Sequence, residues 1–119
     1  MRAAWIWILL GLAVPACAGN AGSLEVKGDG TARLVGVVLE NDRGCEVDAI
    51  CRLIVDAGGK RAFVVYHGGE AVRCVNREAV RQGFAVKAGD RVEAYGDYEV
   101  SGPTVSTCGS ERYYIRPSG

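Results

Sequence analysis

The sequence predicts an all-β barrel of five strands, with one short helix between the third and fourth strands. Three observations lead there. Short β-branched and aliphatic runs recur between residues 31 and 115, separated by turns rich in Gly, Asn and Asp. One of them, residues 91–100 (RVEAYGDYEV), alternates with period two: Val92, Ala94, Gly96, Tyr98 and Val100 share a face opposite Arg91, Glu93, Tyr95, Asp97 and Glu99. Only residues 77–82 carry a full set of helix signals.

Length and charge narrow the function classes. The chain has 119 residues, enough for one core and not two. Hydrophobic residues make up 49%, which removes a disordered chain from consideration. Fourteen basic side chains balance 14 acidic ones, so no broad basic surface for nucleic acid is expected.

The elements follow in order. Residues 31–40 (TARLVGVVLE) read as the first strand, and Gly36 inside it suggests a bulge or bend. Residues 41–44 are turn chemistry, leading into a loop that runs to Cys51. Residues 51–56 (CRLIVD) form the second strand, Gly58-Gly59 a tight hairpin, and residues 61–67 (RAFVVYH) the returning third strand. Asn76 is placed to cap the helix, with Glu78 in its first turn and Gly83 at the C′ position. The fourth strand is residues 91–100. A long polar loop spans residues 101–110, and residues 113–115 (YYI) make the fifth strand.

The N-terminus reads as an export signal over residues 1–18. Arg2 precedes a 12-residue uncharged run, residues 3–14 (AAWIWILLGLAV), too short for a typical transmembrane helix and right for a signal peptide. Ala16-Cys17-Ala18 is a cleavage site that would leave Gly19 first. Alternatively, Val14-Pro15-Ala16-Cys17 resembles a bacterial lipobox, with Cys17 lipidated and becoming the first mature residue. Both readings stay open. Residues 19–30 (GNAGSLEVKGDG) would then be a flexible leader, and residues 31–119 the barrel domain.

With Cys17 assigned to export, four of the five cysteines remain: Cys45, Cys51, Cys74 and Cys108. An even number in an exported chain reads as two disulfides. Four cysteines allow three pairings; Cys45–Cys51 with Cys74–Cys108 is favoured, because the first closes a short loop between two strands. Intervening stretches of 5, 22 and 33 residues do not suit a zinc site, so no metal or other cofactor is expected.

Taken together, residues 34–39 with internal Gly36, the Gly58-Gly59 hairpin, the helix between Asn76 and Gly83, and Gly89-Asp90-Arg91-Val92-Glu93-Ala94-Tyr95-Gly96 resemble bacterial exported OB-fold proteins. That resemblance covers most of the chain by element order, and its most specific motif is one strand. It implies a ligand surface on the second and third strands, flanked by the loops around Cys45–Cys51 and residues 102–110. Arg52, Ile54, Tyr66 and Arg61 are the candidate binding residues there.

The other constellations are weak. His67 is the lone histidine, and no nucleophile motif accompanies it, so a hydrolase centred there is only an alternative. Glu46, Asp48 and Asp56 lack the spacing of a calcium loop. The expectation is a non-enzymatic, disulfide-stapled binding module, periplasmic, anchored to the outer membrane or secreted. Its partner would be an envelope protein, a glycan or a small ligand, with membrane contact only through a lipid on Cys17. Oligonucleotide binding on the second and third strands is the other alternative, disfavoured by neutral charge.

Overall fold

The computed structural model describes residues 22–47, 49–69 and 73–118. Residues 1–18, read above as an export signal, and Asp48 lie outside the described residues. Seven strands and one α-helix are present among those described: β1 (Ser23–Val26), β2 (Thr31–Arg43), β3 (Cys51–Ala57), β4 (Lys60–His67), α1 (Arg77–Ala85), β5 (Arg91–Glu99), β6 (Thr104–Ser106) and β7 (Tyr114–Pro117). A 3-10 turn, Gly44–Val47, links β2 to β3.

Five of the strands close a barrel. Its circuit runs β2-β3-β4-β6-β5 and returns to β2. Every pairing in it is antiparallel except β4 with β6. Alternation along each strand fills the interior: Leu34, Leu53, Val55, Val64, Val105 and Ile115 are all at most 1% exposed. The predicted all-β barrel with one helix is therefore present.

Its strands differ from the expected set in three places. The fifth barrel strand is β6, inside the segment read as a polar loop. Three residues cannot carry a period-two pattern, and only Val105 of β6 is buried. Of residues 113–115, Tyr114 and Ile115 enter a strand, β7, but it pairs with β5 along Val92–Tyr95, end to end with β6 on the same edge. In the same way β1, within the presumed leader, pairs with residues 32–35 of β2, end to end with β3. The result is a four-stranded antiparallel sheet, β1-β2-β5-β7, extending from one side of the barrel.

The first barrel strand is also longer than expected and bends elsewhere. It runs to Arg43, and its register shift falls between Val38 and Glu40. Gly36 marks a close approach instead: a Cβ there would sit 2.3 Å from the Asp56 carbonyl oxygen. At the hairpin, Gly58 and Gly59 both hold positive φ, 70° and 93°, as the tight turn requires.

The helix plugs one end of the barrel. Asn76 caps it as expected, its Oδ1 accepting from the Ala79 N–H at 3.0 Å. The same side chain, 2% exposed, donates to the carbonyls of Ser110 and Tyr113 at 2.9 and 2.7 Å. Gly83 is not a C′ residue. The helix continues to Ala85, and Gly83 lies flat against the ring of Tyr66, where a Cβ would come within 2.3 Å of Cγ. Tyr66 in turn donates to Asn41 Oδ1 at 2.7 Å, and Asn41 Nδ2 donates to the carbonyls of Gly83 and Val86 at 3.0 and 2.9 Å. The Gly83 carbonyl also accepts from the Val86 N–H at 3.2 Å, so backbone and Asn41 amide together cap the last turn.

Both favoured disulfides are present, Cys45–Cys51 and Cys74–Cys108. The first holds the 3-10 turn to the start of β3. The second ties the segment before α1 to the loop after β6, where the Val75 N–H also donates to the Cys108 carbonyl. Each bridge contributes about 2–4 kcal/mol, mainly by restricting the unfolded chain. Two such bridges mark a non-reducing, extracellular-type environment. Among the described residues, no helix is long and apolar enough to cross a membrane.

The Tyr66–Gly83 contact makes a prediction with opposed terms. Helix propensity alone favours Ala over Gly by about 1 kcal/mol in a helix interior. Overpacking against a buried ring costs about 1–3 kcal/mol. Gly83→Ala is expected to destabilise the protein in denaturant unfolding, and a stabilised variant would show that the helix does not press on Tyr66. Tyr66→Phe should cost about 1–3 kcal/mol in the same measurement, because Asn41 Oδ1 loses its donor in a partly buried site.

Candidate functional site

The hairpin register decides which side chains face outward on β3 and β4. Ala57 pairs with Lys60, so Ile54 stands opposite Phe63 and Arg52 opposite Val65. Their rows continue onto the neighbouring strands, with Glu40 and Thr104 flanking Ile54–Phe63 and Asp42 and Ser106 flanking Arg52–Val65. Inward, the alternate positions Leu53, Val55, Val64 and Tyr66 fill the core. Three of the four residues expected on this face, Arg52, Ile54 and Arg61, are on it. Tyr66 is not: it is 0% exposed, on the opposite side of β4, with its hydroxyl inside and its pKa raised chiefly by burial.

Phe63 takes the place expected of Tyr66. The Arg52 guanidinium lies 4.5 Å from the Phe63 ring centroid, a cation–π stack. Its Nε is 3.5 Å from Asp42 Oδ2, sealed from solvent and without a hydrogen bond. An ion pair on one side and a ring on the other thus hold the arginine across the strand. Half-buried Ile54, Phe63 and Val65 form an apolar strip, and Val37 (37% exposed) and Leu39 (45%) continue apolar surface onto β2. Arg61 is exposed opposite Asp56, which spends one carboxylate oxygen on the Gly59 N–H. Around the strip, the carboxylates of Glu40, Asp42 and Asp56 outnumber the guanidiniums of Arg52 and Arg61. A polyanion would meet net repulsion there.

A second surface was not anticipated as a unit. On the outer face of β1-β2-β5-β7, Glu25, Arg33, Tyr95 and Tyr114 form one cross-strand row, with Val35, Glu93 and Arg116 in the next. Tyr95 packs edge-on against Tyr113, centroids 5.4 Å apart, and lies 5.7 Å from Tyr114. Tyr113 donates to Asp97 at 2.6 Å and Tyr114 to Glu93 at 2.7 Å. Arg116 bonds Glu93 at 3.3 Å while its guanidinium lies 4.2 Å from the Tyr114 centroid. Arg33 pairs with Glu25 and Glu93 at 3.6 and 3.7 Å. The hydrogen bond from Tyr114, with the charges of Arg116 and Arg33, holds the Glu93 carboxyl below its ordinary range.

His67 stands apart from both surfaces. A bulge opposite Cys51 turns it toward the helix, its ring 6.1 Å from that of Phe84. Its Nδ1 accepts from the Gly69 N–H at 2.9 Å, its one hydrogen bond among the described residues. A neutral ring there carries its proton on Nε2. Among the described residues, the cleft beside it is lined by Gly69, Arg73, Cys74, Arg77 and Val80, none of which carries a hydroxyl or a carboxylate. A second, apolar-floored cleft of about 370 Å³ opens between α1, β5 and β7 over Val86, Val92 and Ile115. Among the described residues, no group of three or more His, Cys, Asp or Glu could hold a metal ion.

Phe63 could have been found from the sequence. Two residues turn the chain at Gly58-Gly59, so counting outward pairs Ile54 with Phe63. The outward positions of β4 are then odd-numbered as far as Val65. Tyr66 shares the inward parity of Val64. The tyrosine face had no such signal, because it depends on β1 and β7 lying alongside β2 and β5.

The tyrosine–carboxylate pairs are testable by titration. The hydrogen bond to Asp97, then burial, pushes the Tyr113 hydroxyl up to about 12 from 10.0. A raised folded pKa means this group's stabilisation is complete below the unfolded value and is lost as pH climbs through the folded one. Tyrosinate absorbance should therefore show a step near pH 12 that disappears in Tyr113→Phe and moves down in Asp97→Asn. A titration unchanged in both variants would remove the pair.

A search of protein-family models finds none that matches this chain, and a search of curated proteins finds no match either.

Proposed function

We propose that the protein is an exported binding module built on an OB-like barrel, and that it holds a protein partner on the outer face of β3 and β4. The observation that carries this is the Arg52–Phe63 stack, set in a strip of half-exposed Ile54 and Val65 on a rigid closed barrel. Aromatic residues and Arg ringed by polar groups are the composition of binding hot spots. Preorganisation by the Asp42 ion pair reduces the ordering cost of binding.

The OB-like assignment is supported by strand order. A closed circuit of five strands with one helix between the third and fourth is the element order that the sequence resemblance implies. Export is supported by the signal-like residues 1–18 and by two disulfides. The binding face is opposed in sign to an oligonucleotide groove, and a protein surface with both charge signs fits it better.

Intact-mass measurement of the natively exported protein tests the first part. Loss of residues 1–18, or a lipid on Cys17 after loss of residues 1–16, is expected; a retained N-terminus would refute export processing. For the site, a photo-crosslinker replacing Ile54 should capture a discrete envelope protein, and one replacing exposed Glu99 should not. Phe63→Ala should weaken capture by about tenfold. Equal capture from both positions, or binding that falls steeply with salt and targets nucleic acid, would overturn the assignment.

A further inference from the structure

The tyrosine face of β1-β2-β5-β7 has no role in the reading above, and its chemistry differs from that of the β3–β4 strip. We propose that it is a second binding site, for a neutral oligosaccharide chain. Three features select that class of ligand.

First, the rings form a prearranged cluster, with Tyr114 tilted by 31° to Tyr95 and Tyr113 edge-on to it. Tyr95, Tyr113 and Tyr114 are half-buried, contact one another at 5.4 and 5.7 Å, and two of their hydroxyls are anchored on carboxylates. Rings held this way lose little freedom on binding. The C–H-bearing face of a sugar packs on aromatic surface of this kind. A sheet face also suits an extended chain better than a compact ligand.

Second, the polar groups alternate in sign at close range. Lys27, Arg33 and Arg116 are interleaved with Glu25, Glu93 and Asp97 around the rings. A sugar hydroxyl both donates and accepts, so it is served by a carboxylate and a cation side by side.

Third, cations are not in surplus: Asp29, which acts on Tyr113, joins Glu25, Glu93 and Asp97 against Lys27, Arg33 and Arg116. With no surplus of cations, a polyanion gains nothing from long-range attraction, whether nucleic acid or acidic glycan. The aromatic content separates this face from an ordinary solvated charge lattice. Exposed Lys27 over Tyr95 (6.0 Å to the centroid) and Arg116 over Tyr114 are the side chains a stacked sugar would displace from the rings, and they then stand beside it as donors.

The test uses the processed, disulfide-bonded protein with three neutral hexasaccharides: cellohexaose, chitohexaose and maltohexaose. Polygalacturonate and poly-glutamate serve as charged controls. At least one hexasaccharide should shift the backbone amide resonances of Glu25, Arg33, Tyr95 and Tyr114 while leaving those of Arg52 to Val65 in place. Its affinity should change by less than about twofold between low and high salt. Tyr95→Ala and Tyr114→Ala should each weaken it by about tenfold, with Tyr95→Phe close to wild type. Exposed Arg33→Ala and Glu25→Ala, which remove hydrogen-bonding groups and not rings, should weaken it by about threefold to tenfold and provide a check if a tyrosine variant fails to fold. Three results overturn the proposal: no binding of any hexasaccharide up to its solubility, binding of only the charged polymers, or concentration-dependent shifts of the same residues without ligand, which would make the face a contact between two copies of this chain. Failure here leaves capture at Ile54 intact, so the two sites are judged separately.

Discussion

The structure depends on one contact: the ring of Tyr66 pressed against the backbone of α1 at Gly83. A small barrel has an open end, and Tyr66 is the largest side chain filling this one. Because Gly83 has no Cβ, the helix approaches until the ring touches its backbone. Asn41 then serves two elements at once. It accepts from the tyrosine hydroxyl and donates to two carbonyls at the end of the helix. A polar group inside a barrel is costly unless every partner is present, and here the partners come from β2, β4 and α1 together. Loss of the Asn41 side chain leaves the tyrosine hydroxyl without this acceptor, while the Gly83 carbonyl keeps the Val86 N–H.

From that plug the remaining anchors follow outward. Asn76 starts the helix and holds the segment between β6 and β7, so the same element that closes the barrel also positions β7. Gln82 adds a bond to the Ile115 N–H at 3.1 Å. The Cys74–Cys108 bridge restrains the same region covalently. With the helix fixed at both ends, β7 lies along β5, and β5 in turn lies along β2. The tyrosine face therefore inherits its geometry from the helix, although no helical residue belongs to it. The β3–β4 face inherits its geometry from the hairpin and needs no such chain of contacts.

This difference explains how far each surface was legible. A two-residue hairpin transmits register through local geometry, so the outward positions of β3 and β4 follow from Gly58-Gly59 alone. Arg52, Ile54 and Arg61 share the outward face that this register gives; Tyr66, expected with them, lies inward, and Phe63 stands outward in its place. The cysteine pairing was likewise legible, since Cys45 and Cys51 bracket a single turn. By contrast β6 is three residues long, and its one buried side chain, Val105, gives no periodicity to detect. Its place is set by backbone bonds to β4 and β5 across long separations, including the Thr107 N–H to the Val65 carbonyl. The strand in the leader was hidden for a related reason: Ser-Leu-Glu-Val is short and mostly exposed, and it becomes a strand by pairing with β2.

Sequence by itself determined the class of architecture, the single core, the cap at Asn76, the paired cysteines and the face that Arg52 and Ile54 occupy. All of these rest on periods, turns and caps that act over a few residues. Tertiary structure alone decided that Gly83 meets a ring, that Gly36 yields to the Asp56 carbonyl, that β6 closes the barrel, and that Tyr95, Tyr113 and Tyr114 converge. Each of these depends on backbones brought together from distant parts of the chain. A local pattern specifies which side of an element is apolar; what that side, or the opposite one, will touch is settled only when the barrel closes.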